Sequence, residues 1–157
     1  MKYRLPVSVY TLDQVQLGMM ELQAYASNLR ERSTTQRTNS AHPSLSVEGQ
    51  ALVDELPLAK RADATTLEAL ATELEEMVAR EPRVSLTLAG LASHHLREEL
   101  VGWLRTNIRP NLLVDFHTNP DIAGGMVVRT TNHVYDFSFR RHLLESPARF
   151  TRILDRV

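Results

Sequence analysis

The 157-residue sequence predicts an α then α/β chain: a reduced N-terminal helical bundle over residues 1–81, then a small β-α-β-β-β-α domain over residues 82–157. Three observations predict it. From Thr11 to Arg80 three stretches carry apolar residues at helical spacing. Just past Glu81-Pro82, "VSLTL" alternates strictly, as a half-buried strand does. Beyond it, helical and alternating stretches interchange, bounded by Pro, Gly and Asn.

The first helix is "TLDQVQLGMMELQAYASNLRER", where Leu12, Val15, Met19, Leu22, Ala26 and Leu29 form one seam and Thr11 or Asp13 can cap the start. "RSTTQRTNSAHPS" is polar and aperiodic and reads as a loop. A shorter helix from about Ser46 to Leu56 places Val47, Ala51 and Leu52 on one side. The third, about Ala64 to Arg80, gathers Leu67, Leu70, Leu74, Met77 and Val78 against an acidic opposite face, and Pro82 ends it. After the strand at Val84–Leu88, "ASHHLREELVGWLRTN" returns to helical spacing through Leu96, Leu100, Trp103 and Leu104, with Ser93 as cap. "NLLVDFH" alternates, Leu112, Val114 and Phe116 against Asp115 and His117. "GMVVRTTNHVYDF" gives two short strands around a turn at Thr131-Asn132. Helical spacing resumes from Phe139, and Phe150, Ile153, Leu154 and Val157 make a last apolar stripe.

Composition narrows the function. The absence of cysteine removes disulfides, thiol nucleophiles and Cys-based zinc sites. No stretch is long and apolar enough for a membrane span, and the first residues lack the pattern of a signal or transit peptide, so a bacterial cytosolic protein is expected. Residues 1–80 carry eight basic against eleven acidic side chains, and residues 81–157 ten against eight. Neither half has the basic balance of a nucleic-acid binder.

Candidate chemistry is thin. His94, His95, Glu98 and Glu99 have i,i+4 pairs that suit a metal, but HEXXH and a third ligand are missing, so no metal is expected. Asp115 and His117 share a strand face and Asp136 is placed near them, an arrangement open to acid-base work although no nucleophile motif accompanies it. Gly124-Gly125 leads into a strand rather than a helix, which argues for a bend or bulge and against a phosphate cradle; no cofactor is expected.

The segment Asn119-Pro120-Asp121-Ile122-Ala123-Gly124-Gly125, an apolar strand, a turn, and Val134-Tyr135-Asp136-Phe137-Ser138 resembles the C-terminal signature of the ATP synthase delta subunit family. The mitochondrial member of that family is the oligomycin sensitivity-conferring protein. Pro120, Gly124, Gly125, Asp136 and Ser138 fall in register with the pattern, and Arg140-Arg141 follow as the basic start of a helix. The match covers mainly residues 84–145. Asn119 stands where the family has Asp, Ala123 where it has a larger apolar residue, and Phe137 where it has a small one. The family's N-terminal bundle has six helices, against three here. The resemblance implies a non-catalytic peripheral-stalk subunit at the cytoplasmic face of the bacterial inner membrane. It would hold N-terminal segments of the alpha subunits and the C-terminal ends of the b subunits in a hetero-oligomeric complex, without inserting into the membrane.

On that reading the first helix keeps a stripe with Leu17, Met20 and Tyr25 for an alpha-subunit helix. Arg140, Arg141, Phe150, Ile153 and Leu154 would face the b subunits. Two alternatives remain: a helical adaptor with a delta-like C-terminal domain, recognised by failure to co-purify with the catalytic head, and a small acid-base enzyme using Asp115 and His117, recognised by a pocket joining them to Asp136.

Overall fold

The structure, a computed structural model, describes residues 3–35 and 44–140. It has a helical N-terminal region followed by a small four-stranded sheet with an intervening helix. The elements are α1 (Leu12–Thr35), α2 (Val47–Asp54), a 3-10 turn at Leu58–Lys60, α3 (Ala64–Arg80), β1 (Arg83–Leu88), α4 (His94–Asn107), β2 (Leu113–Thr118), a 3-10 turn at Pro120–Ile122, β3 (Gly125–Arg129) and β4 (Val134–Ser138). Contacts divide the chain into two compact units. Of the described residues, one holds those up to Glu81 with Glu98–Leu113, the other Pro82–Arg97 with residues 114–140.

In the first unit each helix starts on a side-chain cap. The Thr11 hydroxyl accepts from the Gln14 amide at 3.2 Å, and Gln14 Oε1 accepts from the Tyr10 and Thr11 amides at 3.1 Å, a reciprocal capping box for α1. Ser46 caps α2 by accepting from Gly49 at 3.1 Å, and Asp63 caps α3 by accepting from Thr66 at 3.1 Å. Glu21 of α1 ties the two helices together, its carboxylate accepting from the Ser46 amide at 3.0 Å and the Ser46 hydroxyl at 2.8 Å. The core joins Val15, Leu22 and Ala26 of α1 to Leu52 and Val53 of α2 and Leu67, Leu70, Ala71 and Leu74 of α3. Leu12, Met19 and Leu29 complete the predicted seam from its margins. Gly18 lets Leu52 of α2 approach α1: a Cβ there would fall on Leu52 Cδ1.

The segment before α1, which turns at Val7-Ser8 with the Val9 amide donating to the Pro6 carbonyl at 3.1 Å, closes this core with Tyr3, Leu5 and Val9. Two side chains hold it. Arg105 donates from Nε to the Leu112 carbonyl at 3.2 Å, from Nη1 to those of Leu5 and Pro6 at 3.0 and 2.8 Å, and from Nη2 to that of Val9 at 2.9 Å. Asn111, held at φ 63°, accepts from the Leu5 amide at 2.8 Å and donates to the Tyr3 carbonyl at 2.9 Å. The Tyr3 hydroxyl donates to the Leu52 carbonyl at 2.6 Å.

Two expected helix faces differ from those observed. Val47 is 81% exposed, because the Ser46 cap sets a rotation that turns Leu52 and Val53 inward. On α4 the buried residues are Val101 and Leu104, while Leu96 and Trp103 are exposed. The rotation of α4 that buries Val101 and Leu104 is the one in which Arg105 reaches four carbonyls.

The second unit is built on a sheet of order β2-β1-β3-β4. β3 pairs antiparallel with both neighbours, in registers Leu86↔Val128↔Tyr135 and Leu88↔Met126↔Phe137 on one face and Thr87↔Val127↔Asp136 on the other. The β3–β4 connection closes where expected: the Thr130 amide donates to the His133 carbonyl at 2.8 Å.

Candidate functional site

The first candidate surface lies on α1. Leu17 and Met20, one turn apart, are 47% and 69% exposed. Met20 also lines a groove of about 360 Å³ shared with Gln16, Met19 and Gln23 of α1 and Glu75 and Val78 of α3. Tyr25, expected beside them, is half-buried and packs against the core, so the exposed stripe is shorter than the sequence suggests.

The second is the chain from Asn119 into β4. Asn119 Oδ1 accepts from the Asp121 amide at 3.0 Å, starting the turn that Pro120 continues and seating Ile122 in the interior. Ala123, Gly124 and Gly125 then all take positive φ, at 56°, 116° and 79°. Glycine takes the last two of these at low cost, while Ala123 sits in the left-handed region that a residue with a side chain occupies uncommonly. Gly125 stands opposite Ser138, and a Cβ on it would fall on the Phe137 carbonyl oxygen and 3.1 Å from the Ser138 Cα. The Gly124 carbonyl accepts from the Phe139 amide at 3.0 Å, and Asp136 Oδ1 accepts from the Ser138 amide at 2.8 Å. Ser138 is buried. The glycines, Asp136 and Ser138 thus meet at one strand junction, with Pro120 a turn away. Arg140 follows, exposed; Arg141, Phe150, Ile153 and Leu154 lie outside the described residues.

Sequence reading missed an aromatic row beside this junction. His133 and Tyr135 stack at 5.9 Å between ring centroids, Tyr135 and Phe137 at 6.5 Å. The i,i+2 recurrence of rings in "HVYDF" was the signal available.

The acid-base arrangement does not assemble as expected. Asp115 and His117 are on β2 and Asp136 is on β4, with β1 and β3 between them. Three strand spacings of ~4.8 Å put the two places roughly 14 Å apart. Among the described residues no three His, Asp or Glu side chains come together as a metal site. A cavity of about 600 Å³ beside the segment before α1 is lined by Arg4, Glu55, Glu98 and Arg105 among others. Burial lowers the Arg105 guanidinium to about 10, still cationic at neutral pH, and carbonyl oxygens engage all three of its nitrogens. That geometry braces the backbone.

Set against known proteins, no family model matches the chain, and no curated protein sequence matches it.

Proposed function

We propose that this chain is a non-catalytic, delta-type subunit of the peripheral stalk of an F-type ATP synthase, joining the alpha subunits of the catalytic head to the b subunits. The observation that carries the reading is the strand junction: Gly124, Gly125, Asp136 and Ser138, four of the signature residues that match the family pattern, meet around the Gly125–Ser138 pair and have conformational work there. Such a subunit resists torque, so it needs cohesive interfaces and no reacting groups. The α1 surface of Leu17 and Met20 suits an amphipathic helix from an alpha subunit, laid in by apolar anchors. A C-terminal domain of order β-α-β-β-β-α would take the b-subunit ends through Arg140, Arg141, Phe150, Ile153 and Leu154. No helix among the described residues is long and apolar enough to cross a membrane, which is compatible with a peripheral position at the cytoplasmic face of the inner membrane.

The test is titration calorimetry of the full chain against N-terminal alpha-subunit peptides and C-terminal b-subunit peptides encoded in the same genome. Both should bind. Leu17→Asp with Met20→Asp should weaken the alpha peptide at least tenfold with no change in melting, because both side chains are exposed. Truncation after Glu145 should abolish binding of the b peptide alone. If neither peptide binds the wild-type chain, the stalk reading is wrong.

A further inference from the structure

We propose that the groove between α1 and α3 selects a partner helix bearing Lys or Arg, and that Glu75 is the residue that selects it. The inference rests on the reading that this groove receives a helix, and adds the chemistry that helix must carry. Met19, Met20 and Val78 form an apolar floor, and thioether side chains adapt to varied apolar anchors. Gln16 and Gln23, seven residues apart on α1, flank it with uncharged amides that both donate and accept.

Among the described residues Glu75 is the one charged side chain lining the groove. The other carboxylates of α3 are engaged: Glu68 pairs with Arg30 at 2.7 Å, Glu76 with Arg80 at 3.0 Å, and Glu73 accepts from the Tyr3 amide at 3.0 Å. Glu75 makes no such bond among the described residues. A helix laid over the floor displaces water from this carboxylate as well. A neutral or acidic flank leaves the charge uncompensated, whereas an ammonium or guanidinium one turn from the apolar anchors neutralises it. Specificity then comes as much from penalising the wrong flank as from rewarding the right one. Gln16 to Gln23 spans roughly 10 Å of helix axis, so the occupant supplies about two apolar turns with the cation at one end.

The experiment uses the full chain and two probes: the alpha-subunit N-terminal peptide, and a designed 18-residue amphipathic helix made with Lys, Gln or Glu at the flanking position. The Lys form should bind at least tenfold more tightly than the Gln form, and the Glu form should be weakest. Glu75→Gln should erase that preference and flatten the salt dependence, and Glu75→Lys should invert it in favour of the Glu form. Equal binding of all three designed helices, or no binding by any, overturns the inference. An alpha peptide that binds wild type and Glu75→Gln within twofold, with the same salt dependence, overturns it while leaving the stalk reading intact. An alpha peptide that fails to bind while the Lys helix binds as expected does the reverse. Sedimentation showing self-association that Met20→Asp abolishes would mean that a second copy occupies the groove, which also overturns it.

Discussion

At Gly125 two independent demands fall on one residue: φ is 79°, and a Cβ would meet the Phe137 carbonyl oxygen. Gly125→Val should therefore destabilise the second unit by roughly 1–3 kcal/mol, the scale of a strained backbone position. Thermal unfolding with and without ATP checks it: a variant that melts like wild type but loses an ATP-induced shift would make the glycine a ligand contact instead. Tyr3 poses a different residue-scale test. Burial, and after it the charges of Glu55 and Glu73, hold its phenol well above the ordinary tyrosine value of 10. In the unfolded chain the phenol ionises near pH 10 while the folded protein keeps its proton, so folding binds more protons and stability falls as pH rises above that value. The slope approaches about 1.4 kcal/mol per pH unit. Tyr3→Phe should cost about 1 kcal/mol at neutral pH, through the lost bond to the Leu52 carbonyl, and should flatten the alkaline decline in urea melts at pH 9, 10 and 11. The glycine pair was legible in the sequence because its neighbours along the chain form a strand approach. Arg105 and Asn111 were not, since their partners lie about a hundred residues away and leave no local pattern.

Helix limits were more readable than helix faces. α3 runs Ala64–Arg80 as the sequence predicts, because Asp63 and Pro82 bracket it with local chemistry. Which face of α2 or α4 is buried depends on what the fold brings against it, and there Val47, Leu96 and Trp103 misled. Spacing cannot separate two apolar stripes on one helix when a buried cation decides between them. The cap of α2 offers a test at this scale. Ser46 both accepts from Gly49 and donates to Glu21, so Ser46→Ala should lower the stability of the first unit by about 1–2 kcal/mol, read by chemical denaturation. A loss no larger than a few tenths would mean that the Glu21 contact contributes nothing. The groove on α1 was half legible: Met20 stood out as an apolar residue off the seam, but the pairing with Glu75 and Val78 required α3 in place.

At the scale of the whole molecule, a boundary near Glu81-Pro82 was visible as a change of periodicity, but the return of Glu98–Leu113 to the first unit was not. That return passes through Arg105 and Asn111, which hold the segment before α1 by five hydrogen bonds within the unit. A fragment of residues 1–81 should consequently stay helical but melt roughly 10 °C or more below the first unit of the intact chain, at 4–8 °C per kcal/mol for a body of this size. Circular dichroism measures it, and equal melting temperatures would show that the brace carries no net stability. Arg105→Met in the full chain should reproduce much of the drop, since it leaves four carbonyls without their donor. The same brace has a consequence for the order of events during synthesis. Residues 3–9 leave the ribosome about a hundred residues ahead of the side chains that anchor them, an interval of roughly 5–20 s at ordinary translation rates. Throughout it α1, α2 and α3 can assemble from near neighbours while the leading segment waits. Residues 3–9 are thus made well before α3 yet locked only after it, which leaves them open to proteases and chaperones until residue 111 emerges.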